Sequence, residues 1–181
     1  FHAAAGTGMR APDALEIAFT DNASLKPERS LSVEAGLDRA LFHERLVIGA
    51  TAFFNRYEDL IIAVGPALQD ASRYRTDNIS NARARGLELS SAYRARFGLD
   101  ARLAYTLLST EILAVDRFGV APAPFAIGDE LLRRPRHQAS LDLTSARDRL
   151  SAFTRVGARG RTLDVAPSWG SYGGRVPNAG P

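Results

Sequence analysis

Apolar and polar residues alternate along most of this chain with a period of two. From Gly86 onward, Leu87, Leu89 and Tyr93 fall on one side and Glu88, Ser90, Ala92 and Arg94 on the other. Successive side chains of a β-strand point to opposite faces, so the spacing predicts a strand with one apolar and one polar face. The stretch before it, NISNARAR at residues 78–85, is polar and basic. The apolar face therefore starts abruptly after a wet segment, as in a strand that leaves water and enters a membrane wall.

The same alternation predicts strands over most of the chain. Residues 1–10 read as a strand. In residues 30–40, Leu31, Val33, Ala35 and Leu37 oppose Ser32, Glu34, Gly36 and Asp38. Residues 45–57 follow, with Leu46, Ile48, Ala50, Ala52 and Phe54 on one side and a mixed set on the other. Residues 74–95 contain the strand described first. In residues 99–108, Leu99, Ala101, Leu103, Tyr105 and Leu107 oppose Asp100, Arg102, Ala104 and Thr106. Residues 132–145 carry Ala139, Leu141 and Leu143 against Gln138, Ser140 and Asp142, residues 150–163 return, and residues 175–181 begin an eighth strand.

The connections alternate in length. Residues 41–44, 96–98 and 146–149 are short turns. Residues 11–29, 58–72, 109–131 and 164–174 are long and rich in Gly, Pro, Asp and Asn. A short helical turn fits residues 13–17. Antiparallel strands joined in this order put every tight turn on one edge and every long loop on the other, which is the asymmetry of outer-membrane barrels. The fold expected is all-β, an antiparallel transmembrane β-barrel, of which about seven to eight strands are present. A soluble all-β binding module also alternates its faces, but it has no reason to segregate loop lengths, and its strands are usually shorter. A passive porin-type barrel fits this pattern.

Composition narrows this reading. The chain has 181 residues with 23 basic and 20 acidic side chains, a net charge of +3, too balanced for a nucleic-acid partner. It has no cysteine, so thiolate metal sites and disulfides are excluded. No run reaches the ~18 apolar residues of a membrane-spanning helix, and LVIGATAFF at residues 46–54 matches the ~9–11 residues of a membrane strand instead. The chain opens at Phe1 with neither an initiator Met nor a signal peptide, and the expectation is a fragment of a longer protein.

No catalytic constellation emerges, and neither a cofactor nor a metal site is expected. His2, His43 and His137 lie far apart without metal-ligand spacing. Gly6-Thr7-Gly8-Met9-Arg10-Ala11 matches the loose dinucleotide fingerprint, but that motif must open a helix and Pro12 follows at once. Glu58-Asp59 and Asp129-Glu130 sit in or beside loops, where solvated charge is the ordinary reading. The densest basic cluster is Arg133, Arg134 and Arg136. In the barrel reading it lies at the outer rim, where arginine forks match the phosphate oxygens of lipopolysaccharide; a solvated rim that packs loops is the alternative. Polar wall positions Glu34, Asp38, Glu88, Arg94, Asp100, Arg102 and Asp142 are expected to pair with one another or with whatever fills the barrel interior. Phe42 and Phe97 at the short turns, and Tyr57 and Tyr74 beside long loops, fit interfacial girdles, whereas Tyr105 in mid-strand does not.

Five segments carry a resemblance: GTGMRAP (residues 6–12), NASLKPERSLSVEAGL (22–37), FFNRYEDLI (53–61), NISNARARGLEL (78–89) and LLRRPRHQASL (131–141). In this order they resemble the C-terminal part of the barrel of TonB-dependent outer-membrane receptors, most of all the vitamin B12 and siderophore branch. The resemblance implies that residues 1–181 are part of a 22-stranded barrel in the outer membrane of a Gram-negative cell, filled by an N-terminal plug. It implies a receptor and transporter, not an enzyme, with outer-membrane lipid, the TonB complex (through the plug) and a metal chelate or cobalamin as partners. Ligand contacts are then expected from the long loops, with Arg10, Asp116, Arg117, Phe118, Trp169 and Tyr172 as candidates.

Overall fold

The structure, a computed structural model, describes residues 1–18, 20, 24–64, 75–115, 126–165 and 175–178. Seven strands form one antiparallel sheet in chain order: β1 (His2–Arg10), β2 (Glu28–Leu41), β3 (Leu46–Val64), β4 (Arg75–Arg94), β5 (Leu99–Val115), β6 (His137–Arg147) and β7 (Leu150–Arg159). Each strand pairs with the next in the chain, so the sheet is a plain meander. The sole helix among the described residues is α1 (Ala14–Ala18). Asp13 and Glu16 cap it reciprocally: the Glu16 N–H donates to Asp13 Oδ1 at 2.8 Å and the Asp13 N–H to Glu16 Oε2 at 2.8 Å, a capping box. The Gly6–Gly8 stretch lies within β1 and does not open a helix, as a dinucleotide site would require; α1 starts only at Ala14, after Pro12.

Alternation marks a strand only where one face meets grease, and the strand ends differ from expectation for that reason. β3 runs on to Val64 and β5 to Val115, beyond the ends expected near 57 and 108. At 19, 20 and 17 residues, β3, β4 and β5 reach roughly 55–65 Å at ~3.3 Å per residue, far more than a ~30 Å hydrocarbon layer needs. Their upper halves stand in water, where the backbone ladder persists without apolar alternation. β6 begins at His137 rather than near 132, because Pro135 offers no N–H to a ladder. The element at residues 175–178, expected as an eighth wall strand, is β9 (Arg175–Asn178), and it pairs with β8 (Thr162–Val165) in a separate two-stranded ribbon.

Residues opposed in an antiparallel pair share a face, and the registers link the apolar positions across the sheet. One row runs Leu37, Ala50, Leu89, Tyr105, Ala139, Ala158; the next runs Arg39, Ile48, Ser91, Leu103, Leu141, Val156. These rows form an apolar band. Its residues are not a core: Leu31 is 44% exposed, Leu37 46%, Leu103 48% and Val156 57%, while the buried apolar residues are only Ile61, Ala82, Ala84 and Ile112 among those described. Contiguous exposed apolar surface on this scale needs a covering medium. Lipid is the one that matches a band bounded by charge.

The edges of the band can be measured. On β2, Arg29 and Arg39 bracket the outward apolar positions, and on β6 His137 and Arg147 do so. Both spacings are about ten residues, ~33 Å along the strand. At a tilt of ~45° that projects to ~23 Å, close to the ~25 Å apolar belt of an outer-membrane barrel. The upper edge also slants. It passes through Arg29, Arg56, Arg85, Ser109 and His137 on five successive strands, descending relative to the register. A fall of about six residues (~20 Å) across four strand spacings (~19 Å) gives a tilt of ~45°, as barrel strands require.

The tight turns gather at the other end. Phe42, His43 and Glu44 are all left-handed (φ 52°, 58°, 64°), as are Phe97 and Gly98 (both 75°) and Asp148 (52°). At Gly98 a Cβ would stand 2.0 Å from the Ala146 carbonyl oxygen, so only glycine fits. The strand ends that the long connections join lie on the opposite edge of the sheet.

Leu103 faces outward in mid-band and Arg102 faces inward opposite Asp142. Leu103→Arg is expected to cost about 2–4 kcal/mol at mid-depth and to cut assembly sharply, with Arg102→Leu near wild type. Heat-modifiable mobility of the two variants in membranes checks this, and equal barrel yields would reverse the facing.

Candidate functional site on the inner wall

The inner face alternates with the band and is polar. His2 bridges β2 and β3: its Nδ1 lies 3.0 Å from Asp38 Oδ2 and its Nε2 3.2 Å from Thr51 Oγ1. Arg155 on β7 donates to both oxygens of Asp142 on β6, at 2.5 and 2.7 Å, and Arg102 is the register partner of Asp142 on the other side. Glu34, Glu88, Arg94 and Asp100 have no ion pair among the described residues. Gly86 carries no side chain because Phe53 of β3 crosses it; a Cβ there would stand 2.6 Å from the ring and 2.3 Å from the Leu107 carbonyl oxygen.

Above the band the inner face becomes concave. A cavity of ≈ 560 Å³ is lined by Phe53, Asn55, Tyr57, Thr110, Glu130 and Arg134, among others. Its far side is the segment 126–136, folded back against β5. The Ile112 N–H donates to the Asp129 carbonyl, the Gly128 N–H to the Ile112 carbonyl, and the Leu108 N–H to the Arg136 carbonyl. The Leu131 N–H donates to Thr110 Oγ1 at 2.9 Å. The Ala126 N–H caps onto Asp129 Oδ2. This cover explains why Ala84, Thr110 and Ile112 are among the few buried residues described. A cavity of this size lies within the ~300–1,000 Å³ of small-molecule sites, and its lining mixes two aromatic faces with an amide, carboxylates and a guanidinium.

Two polar clasps hold the rim. In the first, Arg10 at the end of β1 donates to both oxygens of Glu28 (2.6 and 2.8 Å) and both of Glu16 (3.0 and 2.8 Å), tying α1 to the sheet. Glu28 also accepts from the Ile61 N–H at 2.9 Å. The Glu28 and Glu16 carboxylates raise the Arg10 pKa. Burial pushes the Glu28 carboxyl up, but hydrogen bonds from Arg10 and the Ile61 amide outweigh it and hold the group below its ordinary value. In the second clasp, Asn78 accepts from the Lys26 N–H at 2.7 Å and donates to the carbonyls of Lys26 and Asp59 at 2.9 and 2.7 Å. Asn81 accepts from the Asp59 N–H at 3.0 Å. Asp59 sits in a bulge of β3 with φ 55°, and bulged backbone needs partners outside the ladder.

Of the expected contact residues, Arg10 faces inward at the rim with its donors taken by two carboxylates. Arg134 lines the inner cavity, on the face opposite the lipid band. Arg133 has φ 57° and its N–H donates to the Leu163 carbonyl; Arg136 is exposed just before β6. Asp116, Arg117, Phe118, Trp169 and Tyr172 lie outside the described residues, as does Tyr74 of the expected girdle. Phe42 and Phe97 are exposed at the short-turn edge, 71% and 88%. Tyr57, expected in the outer girdle, instead lines the inner cavity, because its partner Ala82 is on the inner face. Tyr105 faces lipid with its hydroxyl oxygen 2.8 Å from His137 Nδ1, a partner that makes a mid-strand tyrosine tolerable. The sequence pattern does not mark Phe53, Glu28, Asn78 or Asn81 as site residues. The signal that marks the two asparagines is their place in a strand, where asparagine is depleted.

A long antiparallel meander with an outward apolar band, a polar inner wall and loops gathered on one rim defines a portion of an outer-membrane-type barrel. Residues 1–179 match the family described as "TonB dependent receptor-like, beta-barrel", and the chain belongs to that family. Similar solved structures include the FrpB iron transporter from Neisseria meningitidis (16% identity, TM-score 0.61, 89% of this chain and 24% of that one). They also include the copper transporter OprC (18%, 0.63, 88% and 23%) and P. aeruginosa FpvA bound to a heterologous pyoverdine with iron (14%, 0.63, 97% and 22%). The chain thus spans about a quarter of the length of these structures, and at such identities the likeness is one of fold. No curated protein matches it by sequence.

The lowered Glu28 pKa makes the first clasp sensitive to acid. Its contribution is complete above the ordinary glutamate value of 4.5 and is lost as pH falls through the lower folded value. Exchange protection of the Ile61 amide, corrected for intrinsic rate, should be flat at neutral pH and drop in acid, and Glu28→Gln should abolish that dependence. Asn78→Ala is expected to cost about 1–3 kcal/mol, since it strands backbone groups of Lys26 and Asp59; thermal unfolding of the refolded barrel reports it.

Proposed function

We propose that this chain forms part of the wall and outer vestibule of an outer-membrane receptor that imports a metal chelate or cobalamin, with energy delivered by TonB through an N-terminal plug. Membership of the receptor family over residues 1–179 carries the reading. In it the edges of β1 and β7 are paired by neighbouring strands of a closed barrel, since no backbone group can be left open in hydrocarbon. The unpaired inner-wall charges Glu34, Glu88, Arg94 and Asp100 then face the plug.

The cavity supplies the chemistry of recognition. Phe53 and Tyr57 offer aromatic surface to the organic shell of a chelate. Asn55 and Arg134 offer donors to its oxygens, and Arg134 favours a ligand with negative charge. Asp116, Arg117, Phe118, Trp169 and Tyr172, in the long connections, are the further ligand contacts in this proposal. Arg10 acts by positioning α1 and the rim. A passive porin would share the band but have no need of TonB.

Uptake of labelled ferric siderophores and cyanocobalamin by cells expressing the whole receptor tests this. Uptake of one ligand class should require TonB, and Tyr57→Ala with Arg134→Gln should weaken its binding about ten-fold or more, the loss of roughly 1.4 kcal/mol. Uptake that persists undiminished without TonB would make the protein a passive channel.

A further inference from the structure

The outer face carries a second concavity, unconnected with the vestibule. It lies at the upper edge of the apolar band across β1, β2 and β3, with a volume of ≈ 420 Å³. Among the residues that line it are Thr7, Met9, Arg29, Leu31, Arg56 and Glu58. All six are outward by register: Thr7 opposes Leu31, Met9 opposes Arg29, Arg29 opposes Glu58 and Leu31 opposes Arg56. Apolar Leu31 and Met9 are exposed (44% and 72%) on the same face as the two guanidinium groups.

The charge at this edge is lopsided. Arg83 and Arg85 on β4 extend the outward basic row, Arg83 opposing Arg56 and Arg85 opposing Phe54. Arg56 Nε donates to Glu58 at 3.0 Å and Arg83 pairs with Glu111 at 2.6 Å. Arg29 and Arg85 have no side-chain partner among the described residues. Four arginines against two glutamates leave a positive strip, and a positive strip directly above lipid-facing leucine calls for an anion attached to an acyl chain.

Given the outer-membrane placement proposed above, the geometry points to a binding site for the phosphorylated headgroup of an outer-leaflet lipid. Arg29 and Arg56 hold its phosphate, and Arg85 holds a second phosphate or a neighbouring lipid. Planar guanidinium forks match phosphate oxygens two at a time. Leu31 and Met9 line the start of the acyl chain, and Glu58 fixes the Arg56 fork. This strip lies on the face opposite Arg134, so the lipid site is separate from the vestibule.

The test counts lipopolysaccharide phosphate per barrel on the whole receptor, purified from outer membranes in mild detergent. Arg29→Gln/Arg56→Gln/Arg85→Gln should carry at least about two-fold less, and the lysine triple variant, which keeps charge but loses the fork, should fall between. Arg39→Gln/Arg147→Gln, outward at the lower edge, and Arg133→Gln/Arg136→Gln should carry the wild-type amount. Unchanged lipid in the first variant, or an equal loss in either of the last two, overturns the site. Should the first variant fail to insert, titration of wild-type and Arg29→Gln barrels with lipopolysaccharide, read by thermal unfolding, decides instead: a smaller stabilisation of the variant supports the site and an equal one refutes it. Uptake of labelled chelate in the same cells reports on the receptor reading independently of the lipid count.

Discussion

A peptide group in hydrocarbon has no water to bond, so every N–H and C=O must find a partner within the protein. The meander of β1 to β7 answers that constraint, pairing each strand with its chain neighbour along the whole apolar band. The constraint also explains the energetics. The sheet has almost no buried core, because lipid takes the place that a core would fill. Leucines that would destabilise a soluble protein by their exposure are here in their proper solvent.

Once both faces have different solvents, the rest of the wall follows. Outward arginines mark where lipid ends, and inward polar side chains pair across strands, as Arg155 does with Asp142 and His2 with Asp38. Above the band the strands continue in water, and packing there comes from a loop rather than from lipid. The segment 126–136 covers the inner side of β5 and creates the cavity with Phe53 and Tyr57. The rim is therefore held by hydrogen bonds to side chains of Thr110, Asn78, Asn81 and Glu28, whereas the wall below is held by the ladder with cross-strand side-chain pairs such as Arg155–Asp142 added to it.

Where the chain meets lipid, its sequence is explicit. Leu99, Ala101, Leu103, Tyr105 and Leu107 announce both a strand and its facing, and the register agrees. Where both faces are wet, that code vanishes, which is why the upper parts of β3 and β5 read as loop. Tyr57 shows the same boundary: its place beside a long connection put it in an outer girdle, and the register with Ala82 put it in the vestibule.

Alternating faces and segregated loop lengths are local properties, and the sequence alone determined the wall and its facing. The tertiary structure decided what depends on distant segments meeting. Arg10, Glu16, Glu28 and Ile61 form one clasp, and Lys26, Asp59, Asn78 and Asn81 another. The outward arginines of β2, β3 and β4 line up only through their register. Solvent imposes its pattern residue by residue, whereas a hydrogen bond between residues far apart in the chain is specified only once the strands between them have paired.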